Sequence, residues 1–183
     1  MKDILAPELD VLFCGINPGL SSAAAGLPFA TRGSRWWPAL HRSGFTPRVL
    51  APAEADQLPT WGLGLTTMVR RPTTKAAELT RAELVAGAAE LTKRVHTWRP
   101  QWLAILGVTA FRAGYGRPEA IVGPQDLRIG ETKLWVLPNP SGLNAHYPPQ
   151  QLAEEFARLR RAAAIPDRSR PAGDPGNDES PPA

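Results

Sequence analysis

Val11-Leu12-Phe13-Cys14-Gly15-Ile16-Asn17-Pro18-Gly19 is the stretch that decides the fold. Its apolar start reads as a buried strand over residues 10–14. Two glycines and a proline then force a tight turn. That turn leaves one polar side chain, Asn17, at the strand's carboxyl end, which is where an open α/β sheet binds its ligands.

Working outward, a long Gly/Ala/Ser-rich connection fills residues 15–33, with a short helical piece near Leu20–Ala25. Ser34 reads as the N-cap of a helix through Trp36, Trp37 and Leu40, ended by Gly44. Residues 45–60 carry three prolines and read as loop with one short helix. Gly62–Thr66 is a second strand weakened by its glycines, followed by the basic loop Val69-Arg70-Arg71-Pro72-Thr73. Thr80-Arg81-Ala82-Glu83 has capping-box spacing, and Leu84, Ala88, Leu91 and Val95 then recur at helical period up to Arg99-Pro100. Trp102–Leu106 is a buried strand, and a helix follows from Thr109 to Gly114. Asp126–Ile129 and Lys133–Leu137 form a hairpin around Gly130-Glu131-Thr132. Its second arm ends in a second stiff loop, Pro138-Asn139-Pro140-Ser141-Gly142-Leu143. Leu152, Phe156, Leu159 and Ala163 stripe a last helix. Strand and helix alternate through one three-layer α/β domain over residues 1–165. Residues 166–183, with five prolines and almost nothing apolar, read as a disordered tail.

The chain of 183 residues suits one well-buried domain. No apolar run is long enough to span a bilayer, and Met1-Lys2-Asp3-Ile4 lacks a signal peptide's apolar core; a soluble, cytoplasmic protein is expected. Cys14 is the only cysteine, so no disulfide, cysteine-ligated zinc or iron–sulfur cluster forms within one chain. The three histidines have no metal-like spacing. The formal charge of +4 combines a tail of −2 with a body of +6, which suits a polyanionic partner. An arginine-rich compositional bias is the alternative account of that charge.

Asn17 is either a turn asparagine that satisfies its own backbone or a group that handles a ligand. Its neutral amide is no general base, but its carbonyl oxygen can hold a water. In the second loop, Pro140 gives stiffness, Gly142 permits close approach and Leu143 is an apolar tip. It reads either as a helix-entry turn or as a wedge of the kind that unstacks bases. Phe29 is either a core anchor or a ring that stacks on a planar ligand. Trp36 and Trp37 read as packing. No Gly-x-Ser-x-Gly elbow, Gly-x-Gly-x-x-Gly fingerprint or phosphate-loop motif is present.

Together these residues resemble the mismatch-specific uracil/thymine DNA glycosylases. Gly15-Ile16-Asn17-Pro18-Gly19-Leu20-Ser21-Ser22 is similar to that family's first active-site motif, and Asn139-Pro140-Ser141-Gly142-Leu143 to its second. Phe13-Cys14, Arg71-Pro72-Thr73 and Leu103-Ala104-Ile105-Leu106-Gly107 are also family-like. The similarity spans residues 3–163. It implies a uracil-DNA glycosylase fold with a central four-stranded parallel sheet in order 2-1-3-4. It also implies a monofunctional enzyme, without cofactor or metal, working as a monomer at the nucleoid. Such an enzyme excises uracil and 3,N4-ethenocytosine, and more weakly thymine, opposite guanine in double-stranded DNA.

Carried over, Asn17 would position the attacking water, Ile16, Ser22 and Phe29 would form the base pocket, and Gly142 and Leu143 would enter the duplex. Asn139, Pro140 and Ser141 would brace that loop or touch the backbone. Thr67 stands where close members carry a lysine, so Thr67, Arg70 and Arg71 are the candidates for phosphate contact. The family's arginine after the wedge leucine is missing from Leu143-Asn144-Ala145-His146. A non-catalytic lesion or abasic-site binder of the same fold, and a small-molecule-binding domain, are the competing readings.

Overall fold

Val11–Gly15 forms β1, an inner strand of the sheet in the computed structural model, which describes residues 2–170. All five of its residues are buried, because it is paired on both edges and covered on both faces. β2 (Leu63–Thr67) lies parallel on one side with Val11 opposite Leu63, and β3 (Trp102–Leu106) lies parallel on the other. β4 (Gly123–Ile129) and β5 (Thr132–Leu137) form the expected hairpin. β5 pairs parallel with β3, so the sheet runs β2-β1-β3-β5-β4. The four parallel strands follow the expected 2-1-3-4 order, and the hairpin's first arm adds a fifth, antiparallel strand at the edge.

Alternate residues of each inner strand feed two cores. Val11, Phe13, Ala104, Leu106, Trp135 and Leu137 face α2 (Trp36–Arg42), a 3₁₀ segment (Pro52–Trp61) and α5 (Pro149–Ala162). Leu12, Cys14, Leu103, Ile105, Leu134 and Val136 face α3 (Arg81–Trp98) and α4 (Val108–Tyr115). Thr80 caps α3 as its spacing implied: its hydroxyl accepts from the Glu83 N–H at 3.2 Å, and the Glu83 carboxylate accepts from the Thr80 N–H at 2.8 Å.

The glycine in β2 has a packing cause. Ile4 exchanges two backbone hydrogen bonds with Leu65, at 2.8 and 2.9 Å, and so covers the sheet edge. A Cβ on Gly64 would lie 2.8 Å from the Ile4 carbonyl.

Two local expectations change. Ser34 does not cap α2; the N-cap is Arg35, and the Ser34 hydroxyl is buried without a partner. A long-range bond sets the entry to α2 instead: the Arg35 N–H donates to the Pro140 carbonyl at 3.0 Å. Residues 166–170 pack on the body, with the Arg168 N–H donating to Gly44 O at 2.9 Å and its guanidinium to Phe45 O at 3.0 Å. The rest of the expected tail, 171–183, lies outside the described residues.

Because β1, β3 and β5 are parallel, the 15–19 turn, Gly107 and the 138–143 loop all leave the sheet at one edge. The α1 helix (Leu20–Ala25) follows the first turn.

Candidate active site

The Asn17 turn is clamped by the segment that leaves β2. The Met68 and Val69 N–H groups donate to the carbonyls of Gly15 and Ile16 at 2.8 and 2.9 Å, and the Thr73 N–H donates to Pro18 O at 3.1 Å. Asn17 spends both amide hydrogens on this segment: Nδ2 donates to Arg71 O and to Thr73 Oγ1, each at 2.8 Å. Thr73 Oγ1 in turn donates to Lys75 O at 2.9 Å, so it meets Asn17 as an acceptor. A flipped amide would set its oxygen against two acceptors. The orientation is therefore fixed, and Oδ1 is the amide's free acceptor among the described residues.

Asn17 lines a cleft of about 770 Å³ at the carboxyl edge of the sheet. Ile16, Ser22, Phe29, Thr67, Leu106 and the 139–144 loop line it too, so the expected pocket and wedge residues share one cavity. Gly107 makes room for Ile16: at φ +145°, a Cβ there would lie 2.8 Å from Ile16 Cδ1. Phe29 sits at φ +51°, a conformation that a bulky L residue rarely adopts. Two contacts hold it. Its ring stacks on Trp36 at 4.6 Å between centroids and 19° between planes. Its neighbour Ala30 donates its N–H to Ser22 Oγ at 3.0 Å. Ser22 is 3 % exposed and acts through that loop, not as a nucleophile.

The second loop builds its own shape. Asn139 Oδ1 accepts from the Ser141 N–H at 3.0 Å, and Ser141 Oγ accepts from the Leu143 N–H at 3.2 Å. Asn144 Nδ2 closes the loop on Asn139 O at 3.0 Å. These turns present Leu143 to solvent, 80 % exposed. Gly142 presses on the opposite wall, where a Cβ would lie 2.6 Å from Gly33 O.

A family model of the uracil DNA glycosylase superfamily matches residues 2–161. The chain belongs to that superfamily. Membership makes it a DNA glycosylase that acts on uracil in DNA, a hydrolase of base excision repair with DNA as its partner.

Among the described residues, no carboxylate, histidine or cysteine lines the cleft. Cys14 stands behind it, fully buried, and burial pushes its thiol up to about 12, which keeps it protonated and inert. Among the described residues no group of acidic, histidine or cysteine side chains is arranged to hold a metal ion.

The expected phosphate contacts are placed otherwise. Thr67 is 2 % exposed on the cleft floor beside Gly15, too deep for a phosphate on the surface, and its hydroxyl has no partner. Arg70 forks onto Asp3 at 2.8 and 2.5 Å, and Arg71 onto Glu83 at 2.6 and 3.0 Å. Hydrogen bonds from Arg71 and the Thr80 backbone hold the Glu83 carboxyl at about 2 instead of 4.5. That pairing therefore contributes to stability above about pH 4.5 and fades as the pH falls through about 2. Arg32 and Lys75 are the cations on the cleft wall, and neither forms an ion pair among the described residues.

Three residues of this glycosylase's site had no assigned role in the sequence. Thr73 orients Asn17, Trp36 backs Phe29, and Arg35 reaches the second loop. In the sequence Thr73 is marked only by its place in the basic loop and in the family-like Arg71-Pro72-Thr73 string. Nothing local marked Arg35, whose partners lie more than a hundred residues away.

Proposed function

We propose that the chain is a monofunctional glycosylase selective for uracil opposite guanine in double-stranded DNA. 3,N4-ethenocytosine, and more weakly thymine, opposite guanine are its further substrates. The observation that carries this reading is the fixed Asn17 amide, whose Oδ1 is free among the described residues, in a cleft that none of their carboxylates lines.

A base inside a duplex is out of reach, so the nucleotide must leave the stack at a cost of a few kcal/mol, which is smaller at a mismatch. Leu143 enters the duplex and fills the space behind the base, while Gly142 lets the backbone come close. The base slides along Ile16 and stacks on Phe29. As the N-glycosidic bond lengthens, its electron pair goes to the pyrimidine and the sugar becomes cation-like. Backbone N–H groups around Ile16, Ser22 and Phe29 stabilise the leaving anion. Water held by Asn17 Oδ1 adds its oxygen to C1′ and gives its proton to solvent, while the pyrimidine anion takes one up and leaves as the free base, so that an abasic site remains.

A neutral amide gives the sugar cation less stabilisation than a carboxylate would. The chemistry is therefore slow, and selection rests on how easily the pair opens and on pocket shape. A wobble G·U pair opens more readily than A·U. Arg32 and Lys75 are suited to meet backbone phosphates at the cleft mouth, the role first sought in Thr67, Arg70 and Arg71. The enzyme would act as a monomer in the cytoplasm, on the nucleoid.

The test is one panel of duplexes carrying G·U, A·U, G·T and G·ethenocytosine, with single-stranded uracil, assayed without added cofactor by alkaline strand cleavage. G·U should be cut fastest and single-stranded uracil slowest. Equal cutting of A·U and G·U would overturn the mismatch assignment.

A further inference from the structure

Arg35 is the N-cap of α2, and its side chain reaches the second loop. Its Nη1 donates to Asn144 O at 3.1 Å and to Tyr147 O at 2.8 Å, and its Nη2 donates to Gly142 O at 2.9 Å. Its backbone N–H takes a fourth carbonyl of the same stretch, Pro140 O, at 3.0 Å. The next residue, Trp36, is fully buried and carries the stacked Phe29 ring. One dipeptide thus holds both the wall that would receive the base and the loop that would displace it.

We propose that Arg35 is a positioning residue that sets the wedge against the base pocket. This rests on the reading of Leu143 as the wedge. The loop does not need Arg35 for its shape, because the side chains of Asn139, Ser141 and Asn144 already close its turns. Arg35 fixes where that preformed unit sits. Three carbonyls from three different residues converge on one planar fork, a pattern that lysine's point charge cannot reproduce. When the fork is lost, the loop keeps its turns and Leu143 keeps its exposure, but the tip shifts relative to Phe29. The base is then displaced less efficiently into the pocket.

The test is a double-mutant cycle in the full chain, read as the single-turnover rate of uracil release from a G·U duplex. Arg35→Gln should slow release about tenfold or more, since misplacement of roughly an ångström can cost up to about a hundredfold. Arg35→Lys should be nearly as slow. In a Leu143→Ala background, Arg35→Gln should add less than about twofold, because the residue it positions is gone. Fluorescence of 2-aminopurine beside the uracil, which reports flipping, should fall in Arg35→Gln and Leu143→Ala alike. Penalties that multiply in the double variant would overturn the assignment, as would a fully active Arg35→Gln. Loss of folding in both Arg35 variants would make the residue a fold determinant and would overturn it too. Release at the parent rate by Leu143→Ala would instead remove the wedge reading on which the assignment rests.

Discussion

Thr73→Val removes one hydroxyl from a residue 3 % exposed and keeps its shape. That hydroxyl accepts from Asn17 Nδ2 and donates to Lys75 O. Its loss leaves a carbonyl and an amide hydrogen unpaired and should destabilise the fold by roughly 1–3 kcal/mol. The catalytic effect follows from orientation. Asn17 keeps only Arg71 O as an anchor, so Oδ1 can swing away from the water it holds. A hydrogen bond worth about 1–1.5 kcal/mol to the productive orientation corresponds to a rate loss of about five- to twelvefold. The assay is single-turnover uracil release from a G·U duplex at saturating enzyme, with duplex affinity followed by fluorescence anisotropy. Affinity should change little, because Thr73 is almost fully buried and presents little surface to the duplex. Thr73→Ser restores the hydroxyl and should recover the parent rate to within about threefold. A Thr73→Val enzyme as fast as the parent, or a Thr73→Ser enzyme as slow as Thr73→Val, would refute the idea that this hydroxyl orients the catalytic amide.

Phe29→Ala removes the ring on which the base would stack, and stacking is worth roughly 1–3 kcal/mol per base, so KM for the G·U duplex should rise about 5- to 150-fold; steady-state kinetics on a fluorescent duplex measures it. Gly142→Ala places a methyl 2.6 Å from Gly33 O, a backbone contact that cannot yield locally. It should displace the loop and slow release from the duplex, while far-ultraviolet circular dichroism stays unchanged. Among the described residues no histidine, cysteine or carboxylate lines the cleft, so the single-turnover rate should stay flat within about twofold between about pH 6 and 8.5. A bell-shaped profile would point to a titrating group that the proposed chemistry does not use.

The sequence made the centre of the sheet plain, because Val11–Cys14 and Leu103–Leu106 are apolar runs bounded by glycine. It also exposed both cleft loops, whose Gly and Pro residues impose local geometry. What it hid depends on partners far along the chain. Gly64 looked like a weakness in β2 until Ile4 was seen lying over it. Ser34 looked like a cap because local rules favour serine there, but the Arg35–Pro140 bond sets where α2 begins. The hairpin reading was correct, yet no local pattern says that its first arm extends a parallel sheet. Arg70 and Arg71 read as cations of a basic loop, but both are paired, with Asp3 and Glu83, and the cations on the cleft wall among the described residues are Arg32 and Lys75. The Asn17 amide is the sharpest case. Its turn was legible, but the fixed direction of its oxygen follows from Arg71 O and Thr73 Oγ1, more than fifty residues away.

The measurement that bears most directly on the account compares Asn17→Ala with the parent for binding and for chemistry on one G·U duplex. The prediction is that affinity stays within about threefold, since the duplex is held by the loops and cations around the cleft, and that single-turnover release falls by about 10²-fold or more. Release by Asn17→Ala at a rate comparable to the parent would contradict it, because the water would then be held by some other group.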